Sequence, residues 1–262
     1  MRQRSSRFTV TSALFTLQLI PAAMTLCSMV LVTPLCGQLR KTPILFEQKC
    51  AQVRTIALLP VKFDWYHLTA GGIREYNEVM SSSARNQIER QVATLLQKKG
   101  YTIRRIPDEP LQHAQWSRLR HFYSVVNNQI QMNVFGSGAF PYAESHFAYS
   151  LSPIPDSLNQ VAADAFLFID GFDDRATRQR EKRVAAAEVG AVIGAVLTGY
   201  YGGSGVPEDR TFASCALVNR WGEIIWYFLY TETGKIDMVQ NGDCESFFYN
   251  LLNRFPTMKA QP

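Results

Sequence analysis

The chain has 262 residues, 47% hydrophobic and 19% charged, a balance that excludes an intrinsically disordered protein and supplies a core for one large domain or two small ones. Its formal charge is +5, yet residues 1–37 hold Arg2, Arg4 and Arg7 and no acid, which leaves 24 basic against 22 acidic groups in the remainder. A body that close to neutral lacks the footprint of a nucleic-acid binder.

The first predicted element is an address. The three arginines precede an uncharged stretch from Phe8 to Gln38, and a basic start, an apolar middle and a small residue near Cys36-Gly37 make a secretory signal. Residues 1–37 are therefore expected to be a signal peptide. A retained signal anchor is the alternative, because the uncharged run exceeds the ~20 residues that span a bilayer. Cys36 is a lipidation candidate, although Thr33-Pro34-Leu35 before it is a poor lipobox. Export would place Cys50, Cys215 and Cys244 in an oxidising compartment, where one disulfide and one spare thiol are expected and three pairings are open. The four histidines are scattered and no CxxC or HxxxH spacing occurs, so neither a metal site nor a cofactor is expected.

Residues 38–262 are expected to form a single α/β domain. Thr55 to Val61 is a short apolar run that predicts a buried strand followed by an aromatic turn. From Asn77 to Lys99, Ala84, Ile88, Val92, Leu95 and Leu96 recur at helical spacing and Gly100 supplies the stop. Tyr101 to Ile106 predicts a strand, and Leu111 to Ile130 a second helix, with Trp116, Leu119, Phe122, Tyr123, Val126 and Ile130 at helical spacing. Residues 133–155 are Gly-, Ser- and Pro-rich but hold Phe135, Phe140, Tyr142, Phe147 and Tyr149. A solvated linker would not carry five aromatics, so the loop packs on the body or meets a partner, with Phe140, Tyr142 and Phe147 as contact candidates.

Ala165 to Ile169 predicts the next buried strand, and at its exit Asp170, Asp173 and Asp174 cluster where an α/β fold often places chemistry. The alternative is that they cap a charged helix beginning near Arg175. From Val184 the composition turns small and apolar, with Gly190 and Gly194 four residues apart, so that another backbone can approach closely; residues 184–206 are expected to be a small-residue helix and hinge, the helix buried against its own sheet, forming an oligomer seam or inserting at a membrane with neighbours. Thr211 to Thr231 predicts a hairpin turning at Asn219-Arg220-Trp221-Gly222. Asp243 to Leu252 predicts a capped amphipathic helix that stops before Pro256.

This order predicts an α/β (α+β) sandwich: a mixed four- to five-stranded sheet with helices packed against it, including a C-terminal β-hairpin and helix. Three motifs, IALLPVKF, ADAFLFIDGF and LVNRWGEIIWYF, carry a likeness in their order along residues 53–254. On them the chain resembles the exported bacterial envelope proteins whose domain is similar to the core of the curli secretion lipoprotein CsgG, the LpoB activator and the N-terminal domain of TolB. The resemblance implies a binding and assembly scaffold without catalytic residues, often lipid-anchored and often oligomeric.

The functional expectation is thus a non-enzymatic envelope scaffold, periplasmic or associated with the outer membrane. Its expected partners are envelope proteins, further copies of itself through Gly190 and Gly194, and a peripheral membrane contact, with no nucleic acid. The alternative is an exported hydrolase using Asp170, Asp173 and Asp174; no GxSxG elbow supports a serine nucleophile.

Overall fold

A computed structural model describes residues 44–106, 110–135, 147–151, 154, 161–183, 209–234 and 236–258. The expected signal segment, Cys36, Phe140, Tyr142, Gly190 and Gly194 lie outside the described residues. Within them the expected α/β class is present, as an open mixed sheet of eight strands with helices against both faces.

The organising element is β6 (Ala165–Ala176), twelve residues long. Its side chains alternate between two apolar clusters: Ala165, Leu167 and Ile169 enter one, Phe166 and Phe168 the other. A strand covered on both faces needs apolar residues at every position, which is why AFLFI is continuous and not alternating. Along one edge β6 pairs antiparallel with β7 (Arg210–Asn219), from Ala165 opposite Asn219 to Asp174 opposite Arg210. Beyond β7 lie β8 (Ile224–Thr233) and the two-residue β1 (Ile44–Leu45).

The other edge of β6 is shared. Its first residues pair parallel with β2 (Thr55–Leu58) and its later ones with β3 (Lys62–Leu68), Lys62 lying opposite Asp170. Pro60 separates the two strands because it has no N–H to give the ladder. The aromatic turn expected after Val61 is therefore a strand, in which Phe63 and Trp65 are buried and Lys62, Asp64 and Tyr66 are not. β4 (Arg74–Tyr76) extends the sheet from β3, and β5 (Thr102–Arg105) from β2. The sheet exceeds the four to five strands expected because β1 and β4 are too short to leave a pattern and β3 mixes charge with aromatics.

Helices close both faces. α1 (Glu47–Cys50) is a single turn. α2 (Glu78–Lys98) buries the expected Ala84, Ile88, Val92, Leu95 and Leu96 in the same cluster as Leu167, Cys215 and Trp226. The side chain of Asn77 accepts the N–H of Met80 at 3.0 Å and caps α2, and Gly100 takes the left-handed φ of +96° at the far end. Replacing Asn77 by Ala is expected to cost about 1 kcal/mol, read as a shift in urea midpoint at constant slope.

α3 (Pro110–Ile130) covers the opposite face, where Trp116 and Tyr123 lie against Phe166 and Phe168, and it widens into a π-helical turn at Gln131–Phe135. α4 (Asn241–Leu252) returns to the α2 face through Phe247, Phe248, Leu251 and Leu252. Asp243 does not cap α4; its carboxylate accepts the N–H of Asp237 at 2.9 Å and fixes the preceding loop.

Candidate functional site

The carboxylate cluster singled out in the sequence is divided by the pleat. The strand does not end at Ile169 but runs to Ala176, and the helical turn that follows occupies 178–183, so these aspartates neither sit at a strand exit nor cap a helix at Arg175. Consecutive side chains point to opposite faces. Asp173 therefore faces one way while Asp170 and Asp174 face the other.

Asp173 is fully buried and its oxygens are engaged. Nε of Arg175 lies 3.0 Å away and Nη2 3.1 Å, the hydroxyl of Thr211 donates at 2.9 Å and the N–H of Met238 at 3.1 Å. These bonds hold the 236–240 loop to the sheet. Asp174 pairs with Arg74 at 2.7 Å and with Arg210 at 3.7 Å. The Arg74 guanidinium lies 4.0 Å from the ring of Tyr66 and 4.6 Å from that of Phe172, with Arg210 4.8 Å from Phe172. The result is a stacked ladder of rings and two cations that share the Asp174 carboxylate.

Asp170 alone among the three has no hydrogen bond to its carboxylate among the described residues. Burial pushes it up to about 6, against the pull of Lys62 and Arg120 and with a further push from Asp64. A carboxylate that holds its proton more tightly folded than unfolded makes stability fall as pH rises from about 4 to about 6, and leaves it flat above. The expected loss over that interval is on the order of 2 kcal/mol. Urea midpoints at several pH values check it, and Asp170→Asn is expected to remove about half of the total slope, because burial raises Asp173 to about 6 as well.

Cys50, Cys215 and Cys244 are free and buried, with no bridge joining them. All three belong to the cluster beneath α2 and α4, where Cys50 donates to the carbonyl of Ile225 at 3.4 Å. Burial pushes Cys50 and Cys244 up to about 12 and Cys215 well above its ordinary value, so none is a ready thiolate. Phe147 is 6% exposed and packs on Phe46, Tyr149 and Tyr227. Phe147 thus serves the core and is not a free contact residue.

The open chemistry lies at the other end of the sheet, where β6 starts and β7 turns into β8. The turn is fixed by Asn219, whose side-chain oxygen accepts the N–H groups of Trp221 and Glu223, each at 3.0 Å, while Gly222 takes φ +82°. From the other side, the carbonyl of Gly222 accepts the N–H of Leu151 at 2.8 Å and the hydroxyl of Ser150 at 3.1 Å. On this braced turn Trp221 is 67% exposed, whereas Trp65, Trp116 and Trp226 are buried.

Beside Trp221 is a cleft of about 440 Å³ lined by Lys49, Asp164, Arg220 and Glu223 among others. Lys49 and Glu223 satisfy each other at 2.8 Å. Arg220 gives Nε to the carbonyl of Ala163 at 2.8 Å, and its two terminal nitrogens have no partner among the described residues. Asp164 accepts the N–H groups of Arg54 and Thr55 with Oδ2 alone. Two residues earlier, Ala162 holds a left-handed φ of 46°, a strain that the bonds of Ala163 and Asp164 maintain. Replacing Ala162 by Gly is expected to stabilise the fold by about 1 kcal/mol, seen as a raised thermal midpoint.

The sequence marked these residues only as a turn. The available signal was a tryptophan between an arginine and a glycine, in a place where turns favour small polar residues. Among the described residues no group of three or more His, Cys, Asp or Glu side chains could hold a metal ion, and no helix is long and apolar enough to cross a membrane. No family model, curated protein or solved structure matches the chain.

Proposed function

We propose that this chain is a non-enzymatic cell-envelope protein that docks a protein partner through the β7–β8 hairpin end. The observation that carries the reading is Trp221, the chain's one exposed tryptophan, held on a braced turn beside an open guanidinium. Tryptophan and arginine are enriched among the residues that dominate binding energy, and a preformed turn lowers the cost of ordering on contact. The uncharged N-terminal stretch behind three arginines supports an exported location, periplasmic or at the outer membrane. The motif resemblance to envelope assembly proteins supports the scaffold role, with Gly190 and Gly194 as the place of self-association.

The hydrolase alternative rests on Asp170 alone, because Asp173 and Asp174 are committed to Arg175, Arg74 and Arg210. The charged neighbours of Asp170 are Lys62, Arg120 and Asp64, and a buried carboxylate without a nucleophile–base pair among the described residues is a weak basis for hydrolysis. The contact reading is tested by recovering the tagged full-length protein from envelope fractions. Wild type is expected to bring down a protein whose recovery falls about tenfold or more in a variant carrying Trp221→Ala and Arg220→Ala. Equal recovery by both, with circular dichroism unchanged, contradicts the reading.

A further inference from the structure

The cleft beside Trp221 has a charge pattern that selects among ligands. Lys49 and Glu223 cancel each other, so the charged groups left to a ligand are the two terminal nitrogens of Arg220 and Oδ1 of Asp164, which has no partner among the described residues, with the Gln52 amide beside them and the indole of Trp221 as an apolar wall. A guanidinium offering two parallel N–H groups matches a planar carboxylate. A doubly charged phosphate is disfavoured, because the Asp164 carboxylate lines the same cleft and repels it. Oδ1 of Asp164 accepts a hydrogen bond and asks for an N–H donor near the ligand's anionic group.

A carboxylate, an N–H group one carbon away and an apolar side chain together describe the last residue of a peptide. We propose that this cleft binds the free C-terminal carboxylate of a peptide segment, Arg220 taking the carboxylate, Asp164 the adjacent amide N–H, and Trp221 the terminal side chain. The volume of about 440 Å³ accommodates one or two residues. The strained, cross-braced backbone at Ala162 holds Asp164 and the carbonyl that orients Arg220, so the recognising groups are positioned before the ligand arrives. The proposal rests on the hairpin end being a contact surface and names the chemistry of what it contacts.

The experiment titrates the full-length protein with N-acetyl-glycyl-glycyl-leucine and with its C-terminal amide. The readouts are quenching of tryptophan emission by iodide and calorimetry. Trp221 is the exposed tryptophan, so iodide reports on it selectively. The free acid is expected to protect Trp221 saturably and to bind about tenfold or more tightly than the amide. Arg220→Gln is expected to lose that preference, and Arg220→Lys most of it, with the circular dichroism of the folded protein retained. Equal affinity for acid and amide, a preference surviving in Arg220→Gln, or no binding of the acid at millimolar concentration overturns the proposal. An internal glutamate peptide with an amidated end that binds as well as the free acid also overturns it, by moving the carboxylate to a side chain. If envelope-protein capture persists while the acid shows no preference, the carboxylate assignment falls and the contact surface stands; loss of both removes both.

Discussion

Replacing Arg175 by Met is expected to lower the free energy of unfolding by about 3–5 kcal/mol. The methionine keeps most of the stem volume, so the loss is electrostatic and not a cavity. What remains is Asp173, wholly inaccessible, with the Thr211 hydroxyl and the Met238 N–H as its donors and no cation beside it. Burial already pushes Asp173 up to about 6 in the intact protein, with Arg175 the strongest opposing pull. Without that pull the carboxyl rises further. A group whose folded pKa lies above its unfolded one contributes a penalty that is absent at low pH and grows as pH rises, so the variant's deficit is largest at neutral pH and shrinks on acidification. Urea denaturation of both proteins at pH about 5 and about 7 checks magnitude and sign together. A pH-independent deficit under 1 kcal/mol contradicts the role given to this pair.

Replacing Gly171 by Ala is expected to cost about 3 kcal/mol and to show no such pH dependence. Gly171 sits in the middle of β6, between Phe63 on β3 and Ala213 on β7. A methyl group there would collide with the carbonyl oxygen of Phe212 and stand 2.8 and 2.9 Å from two ring carbons of Phe63. Phe63 is fully buried and cannot swing away without displacing its neighbours. The requirement is one of space, because the glycine does not hold a left-handed φ. Thermal denaturation followed at pH about 7 and about 5 distinguishes this steric loss from the electrostatic one at Arg175, four residues further along the same face.

These two residues also mark where the sequence stopped being legible. Ala165 to Ile169 identified itself as a strand by its apolar run, whereas the continuation Asp170-Gly171-Phe172-Asp173-Asp174-Arg175 has the composition of a turn. It remains in the sheet because its charges are matched, Asp173 by Arg175 two residues along the same strand and Asp174 by Arg74 on β4, and such pairing leaves no periodic trace in a single sequence. α2 was legible because its five buried apolar residues fall on one helical face, and the hairpin because two long runs flank a turn with Gly222. The candidate site was not. Whether Trp221 points into the body or outward depends on Asn219 and on the segment around Leu151 bracing the turn, and both are tertiary facts.

The central claim is that the hairpin end is where this protein meets a protein partner. A photo-cross-linking amino acid placed at Trp221 in the full-length protein, and separately at Tyr249 on the outward face of α4, tests it in intact cells. Both positions are exposed, so accessibility alone predicts the same products. The expected result is a discrete adduct with an envelope protein from position 221 and none from position 249. An unreactive position 221, or indistinguishable products from the two, contradicts the claim.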